Sequence, residues 1–406
     1  MKPFQTLLFL AVLIPIGGMA ALYWGKTVED ATAPIEIVEE PVVEPVQDDL
    51  SPGSYLVFQS VKVSDPGTED WANDDTETYT FYRLALGEAT YRSNPSSDDL
   101  VAFATIEHPA TISGGLTTYV YGQHLLMHRY LDDEQDGLLS LAGEIVQTSP
   151  KNWSKFRSSN GMYEVRYEFG LESPSIDFGT FQVTNVATGE MVTQHTLTLD
   201  SGEIGNPEPF MIDDAGEYLY VHQVCGCEAA LSGLWQVEVA TGEATRLDTL
   251  VNLDSWFLSK LDANNRRLIA IETDSEPSTD GPGENLLPPT TVRLLDLESF
   301  EAKELLVDED RAWNQPWLDP EGNDRYVVRL WDEGNSLYLA NVVDTEITQD
   351  QFLTDGWVLD WVGDWLVVQG QGFDTIPIKL INLETREEIL IDLPERSSYV
   401  GSIELN

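Results

Sequence analysis

The chain is expected to fold as an all-β protein made from a repeated four-stranded unit, behind one N-terminal membrane segment. Three observations predict this. Short alternating apolar runs recur from residue 54 onward with no convincing amphipathic helix among them. An aromatic residue followed by an Asp/Asn/Gly turn comes back five times, at spacings of 41 to 57 residues. An uncharged stretch, Leu7–Trp24, stands near the front of the chain.

Leu7–Trp24 has 18 residues. At about 1.5 Å rise per residue, such a helix spans about 27 Å, just enough for a bilayer core. Pro15, Gly17 and Gly18 interrupt it, which transmembrane helices tolerate. Tyr23 and Trp24 fall at the exit, where amphipathic rings prefer the interface. Lys2 favours an amino terminus on the inside, hence a single-pass protein of the cytoplasmic membrane with its C-terminal domain outside. The competing expectation is a signal peptide cut near Gly18-Met19-Ala20 or Ala21, which would release a secreted protein. No cysteine lies near the segment, so a lipid-anchored form is excluded.

Residues 1–26 are therefore read as the anchor, 27–53 as a tether and 54–406 as the folded body. The tether carries eight acids, no base, and Pro34, Pro41, Pro45 and Pro52. Proline stiffens such a segment and like charges extend it, so it should stand the body off the membrane.

Strands are expected at Tyr55–Phe58, Tyr79–Tyr82, Tyr163–Tyr167, Tyr218–Val221, Leu268–Ile271, Tyr326–Leu330 and Trp365–Val368, all short, aromatic and β-branched. Five of them follow a leading aromatic and a turn: Phe156 before Gly161, Phe210 before Gly216, Phe257 before Asn265, Trp317 before Gly322, and Trp361 before Gly363. A later strand in the unit also repeats. Phe181–Glu190 matches Leu234–Glu243, each ending Val-Ala-Thr-Gly-Glu, with looser copies at Val292–Glu301 and Lys379–Glu387. Glycine suits the reversal between two antiparallel strands.

A four-stranded unit of this length is the mark of a propeller blade. Residues 54–405 accommodate seven units of about 50 residues, so a β-propeller is expected, with seven blades fitting best and six or eight as the alternatives. Through these turns and strand endings the chain resembles exported β-propeller proteins with TolB-like, WD40-like or PQQ-like repeats. The resemblance covers most of residues 150–393 and fades in 54–149. The Trp-Asp pair of WD40 repeats occurs once, at Trp331-Asp332. The resemblance implies an architecture, and architecture does not fix activity.

The formal net charge is −48, from 70 acidic and 22 basic residues. Residues 54–406 alone carry −42. Nucleic acid is excluded as a partner, because phosphate binding needs clustered Lys and Arg. Self-repulsion of this size calls for screening by salt or bound divalent cations, or belongs to an ordinary acidic exported surface.

Four groups of residues could carry chemistry. Asp132, Glu134 and Asp136 precede Gly137 with the spacing of a calcium loop, although Gly143 stands where its last acid should be. An acidic hairpin turn is the competing expectation. Cys225 and Cys227 are the only cysteines; a local disulfide is expected, with a soft-metal site including His222 as the alternative. His124 and His128, four apart, could share one face of a strand. Trp313 is the candidate for stacking a ligand, since it sits between strands in Arg-Ala-Trp-Asn-Gln-Pro, while the other tryptophans of 313–365 are expected to pack between blades.

No nucleophile elbow, phosphate loop or dinucleotide fingerprint is present. The expected role is a binding or scaffold module displaying its loops to an extracytoplasmic protein or ligand, without a cofactor other than calcium. The alternative is an extracytoplasmic hydrolase or lyase with its site in the propeller channel.

Overall fold

The structure is a computed structural model. It describes residues 50 and 53–405, except 65–75, 87–99, 110–115, 129, 131–134, 151–153, 170–177, 199–205, 225–230, 252–258, 274–289, 309–310, 331–334, 345 and 371–376. Leu7–Trp24 lies outside the described residues, as does almost all of the acidic tether. Among the described residues no helix is long and apolar enough to cross a membrane.

The described strands form seven four-stranded antiparallel sheets, so the chain is a seven-bladed β-propeller. Blades 2 to 7 span residues 117–150, 154–198, 206–246, 259–308, 313–355 and 357–391, each with its strands in chain order. Blade 1 combines the strands of residues 53–109 with the C-terminal strand Ser397–Leu405.

First strands of neighbouring blades touch one another. Ser154–Arg157 meets Asn206–Ile212, Ser259–Asp262 meets Trp313–Leu318, and Ser397–Leu405 meets both Trp357–Val362 and Thr117–Tyr121. The first strand of each blade therefore lines the central axis.

All seven expected strands fall inside observed ones, and six of them are the second strand of a blade. That strand is sandwiched between two others and between the neighbouring blades. Leu219, Tyr220 and Val221 in blade 4, and Leu268–Ile271 in blade 5, have no exposed surface. Near-continuous apolar runs are what such central positions require.

The hydrophobic core is divided among the interfaces between blades. Val165, Phe181 and Val183 of blade 3 pack on Leu219, Val221 and Val237 of blade 4. Leu366, Val368 and Ile381 of blade 7 pack on Val327 and Leu337 of blade 6. Each fully buried aliphatic or aromatic side chain of this kind contributes about 1.5–3 kcal/mol.

The ring closes at blade 1. Ser397–Leu405 pairs antiparallel with Gly53–Ser64, from Gly53 opposite Leu405 to Ser60 opposite Ser397, with a bulge beside Val57. The last strand thus becomes the innermost strand of a blade whose other three strands come first in the chain. Leu56 and Phe58 of blade 1 then pack with Val367, Leu380 and Ile389 of blade 7, which seals the seam.

The reversal between third and fourth strands is built identically in four blades. The amide of Gly189 donates to the Asn185 carbonyl, Gly242 to Glu238, Phe300 to Asp296 and Arg386 to Asn382, each at 2.8 Å. All four donors have positive φ, from 59° to 77°. The side chains of Asn185, Asp296 and Asn382 accept from amides inside the turn, which fixes it further. The Val-Ala-Thr-Gly-Glu repeat is therefore one turn, and its looser copies carry a side chain where the backbone favours glycine.

A Cβ on Gly189 would meet no atom within 4 Å, so Gly189→Ala isolates the backbone cost. It should lower stability by about 1 kcal/mol, and Phe300→Gly should exceed Phe300→Ala by a similar amount. Urea denaturation of the four proteins checks both signs.

Candidate functional site

Each first-to-second-strand turn lies at the same end of its blade, and these turns are hydrogen-bonded to their neighbours around the ring. Gln123 of blade 2 donates to the Glu404 carbonyl of blade 1 at 3.3 Å. Gly122 lies so close to Gly161 of blade 3 that a Cβ on it would come within 2.9 Å of the Gly161 Cα. Ser159 and the Asn160 amide of blade 3 donate to the Asp214 carboxylate of blade 4, at 2.8 and 2.9 Å. Asn264 of blade 5 donates to the same carboxylate at 2.9 Å and accepts from the Asp214 amide at 2.8 Å. Asn265 and Arg267 then reach the carbonyls of Pro320 and Asp319 in blade 6. Arg325 of blade 6 lies 3.7 Å from Asp364 of blade 7. Asp and Asn residues of the repeated turn thus tie blades 3 to 7 in sequence.

The rim formed by these turns surrounds an axial cavity of about 430 Å³. Six blades contribute to its wall, and Phe156, Phe210, Trp317 and Trp361 line it. These are the leading aromatics of the sequence repeat. In blades 3, 4, 6 and 7 the repeat places one large ring on the first strand, so stacking blades around an axis gathers these rings about the axis. A second hollow of about 590 Å³ lies beside the segment leading into Ser397–Leu405, lined chiefly by blade 7 and that segment. The axial cavity is the candidate site because the repeat itself converges on it.

Three polar devices hold the axial wall. Asp360 of blade 7 follows a bulge at Leu359, an irregularity of the kind that re-aims a side chain. Its Oδ2 accepts hydrogen bonds from the hydroxyls of Tyr399 and Ser402, both at 2.7 Å, on the closing strand of blade 1. Burial and the adjacent Asp360 charge push the Tyr399 hydroxyl well above the ordinary tyrosine range, so it stays a donor. Asp262 of blade 5 pairs with Arg267 at 2.9 Å. Arg157 of blade 3 pairs with Glu164 at 3.2 Å and stacks over the Tyr121 ring of blade 2.

Glu164 anchors a wider cluster between blades 2 and 3. It accepts from Tyr121 at 2.7 Å and from Arg166 at 2.6 Å. Burial opposes its ionisation, but the hydrogen bonds from Tyr121 and Arg166 and the charges of Arg166 and Arg157 outweigh it and hold its carboxyl below the usual range.

Lys260 of blade 5 also lines the cavity, with its ammonium 3.4 Å from the centroid of Trp317. Burial lowers its pKa from the usual lysine range, and the charge of Asp360 partly offsets this.

The described residues singled out from sequence lie elsewhere. Trp313 is 1% exposed, and its indole N–H donates to Asp308 at 2.9 Å. The expectation of an exposed stacking ring at Trp313 is corrected: the residue opens a first strand and fills the core beside Tyr338, and Trp317, four residues further on, reaches the cavity instead. Asp132 and Glu134 lie outside the described residues. Asp136 is 1% exposed, on the strand Gln135–Ser140, with His128 Nδ1 at 2.7 Å. His124 and His128 occupy the two ends of one five-residue strand. Burial, and secondarily Arg157, lowers the pKa of His124. Cys225 and Cys227 lie outside the described residues. Among the described residues no three His, Cys, Asp or Glu side chains cluster as metal ligands.

Lys260 and Asp360 escaped sequence reading because nothing local distinguishes them among 70 acids and 22 bases. Trp317 had a signal, its place as the leading aromatic of a unit.

No family model matches the sequence, and no curated protein matches it. Solved structures with a similar course of chain include β-propeller proteins. An oligogalacturonate lyase from Vibrio parahaemolyticus shares 10% identity at a TM-score of 0.47, covering 83% of this chain and 100% of that one. The β-propeller domain of the Trilobed protease from Pyrococcus furiosus shares 13% at 0.40, covering 79% and 93%. TolB from Acinetobacter baumannii shares 13% at 0.36, covering 85% and 82%. The propeller architecture expected from the TolB-like repeats is the one observed. Likenesses this distant carry no argument about activity.

Asp360→Ala removes the acceptor of two hydroxyls and should cost about 1–3 kcal/mol, whereas Asp360→Asn, which keeps one acceptor oxygen, should cost less. Urea denaturation orders the two. Lys260→Met should raise the melting temperature at pH 7, because a buried charge is removed. With a folded pKa below the unfolded one, the wild type regains stability as pH rises from the folded to the unfolded value. The advantage of the variant should therefore shrink in alkali, as thermal melts across pH will show.

Proposed function

We propose that this chain is a membrane-anchored, extracytoplasmic binding module whose axial cavity receives a ligand or a segment of a partner protein. The supporting observation is how the ionisable groups at the cavity are used. Asp360 is engaged by Tyr399 and Ser402, Asp262 by Arg267, and Arg157 by Glu164. A general base must be free to take a proton from its substrate; these groups are fastened into the wall. A concave, largely apolar site with a few fixed polar groups suits recognition.

The alternative, a hydrolase or lyase acting in the channel, is favoured by one feature. Among the described residues Lys260 lines the cavity without such a clasp, and burial lowers its pKa, which suits a group that transfers protons. Anchoring rests on Leu7–Trp24 and the acidic tether, which would hold the propeller at a surface where a tethered receptor is more useful than a diffusible enzyme.

Crosslinking and pull-down from native membranes at native salt should recover a partner whose yield falls with Trp317→Ala. Recovery of no partner, together with hydrolysis or elimination by the purified protein, would sink the binding reading. The chain should remain in the membrane pellet after an alkaline carbonate wash and leave it only with detergent; release by carbonate alone would contradict the anchor.

A further inference from the structure

We propose that the axial cavity binds a carboxylate carried on an apolar group, with the Lys260 ammonium as its counter-ion and the rings of Phe156, Phe210 and Trp317 as the bed for the apolar part. This rests on reading the cavity as a binding site.

Acids outnumber bases in this chain by 70 to 22, so a lysine in the body is surrounded by candidate partners. Lys260 nonetheless makes no ion pair within 4 Å among the described residues. Among the described residues its ammonium lies against the face of Trp317. An indole face satisfies one side of an ammonium electrostatically but accepts no conventional hydrogen bond. The remaining N–H groups are left to the cavity that Lys260 lines.

The other charged groups of the wall do not meet this need. Asp360 is the carboxylate whose charge Lys260 feels, yet it stands beyond ion-pair distance and is held by the two hydroxyls of the closing strand. Asp262 is turned to Arg267, and Arg157 carries its own carboxylate, Glu164. Burial meanwhile disfavours the charged lysine. An incoming carboxylate would supply the missing acceptor and restore the charge, and charge-assisted hydrogen bonds of this kind are the strong ones.

The surroundings narrow the class. A net charge of −48 repels anions at long range, most of all multiply charged ones. A single carboxylate on an apolar body pays least against that field, and the body gains from the ring-lined wall. The same chemistry is offered by a free apolar carboxylic acid and by the C-terminal residue of a peptide.

The test uses the full chain in lipid nanodiscs and isothermal calorimetry. One arm compares 3-phenylpropionate with 3-phenylpropionamide. The other compares N-acetyl-Gly-Gly-Phe bearing a free carboxylate with its C-terminal amide. Each acid should bind about tenfold or more tightly than its amide. Lys260→Met should bring that ratio close to one while leaving amide binding in place. Without any substitution, the ratio should also fall as pH is raised through the titration of Lys260. Either order of the two acids supports the carboxylate chemistry and names its source. Equal binding of acid and amide by the wild-type chain would overturn the carboxylate assignment and leave the cavity as a binding site. Binding of none of the four would overturn both.

Discussion

Seven wedge-shaped sheets form a ring only when the last is fastened to the first, and here a single nine-residue strand does it. Ser397–Leu405 is the innermost strand of blade 1, so its loss would expose an edge at the axis itself. The same strand carries Tyr399 and Ser402, which hold Asp360 of blade 7. Closure and cavity are therefore one construction: the hydroxyls that position a wall residue sit on the strand that completes the circle.

Repetition explains how a sequence without a local active-site motif arrives at a defined centre. One aromatic near the end of a first strand is ordinary. Phe156, Phe210, Trp317 and Trp361, brought to one axis, make a ring-lined hollow. The polar residues that follow them, such as Asn160, Asp214 and Asn264, make the rim by bonding sideways to the next blade. Blades 3, 4, 6 and 7 thus contribute an aromatic to the hollow, and their turns a tie to a neighbour. Lys260 departs from the repeat, and that departure gives the hollow its chemical character.

The fold was legible in the sequence to the extent that burial was two-sided. Second strands such as Leu268–Ile271 are covered on both faces and at both edges, so they read as unbroken apolar runs. Blade 1 was unreadable as a unit because its inner strand lies at the far end of the chain. Blade 2 was missed because its first turn is only Gly122-Gln123, too short to show the longer Asp/Gly pattern. The turns at Phe300 and Arg386 read only as looser copies, because each carries a side chain in a backbone conformation that usually announces itself by glycine. The site was less legible. Trp313 and Trp317 stand four residues apart on one strand, and strand pairing, with its bulge between Asn314 and Trp317, decides which ring faces the cavity. Asp360 acquires its role from Tyr399 and Ser402, about forty residues away and in another blade.

Native-state hydrogen exchange on the two closing strands tests this account most directly. If closure is the constraint on which the ring depends, the amides paired between Tyr55–Ser60 and Ser397–Leu405 should exchange only with global unfolding, as slowly as those of Leu268–Ile271. Exchange of the closing amides through a separate, lower-energy opening that leaves the other blades protected would contradict it.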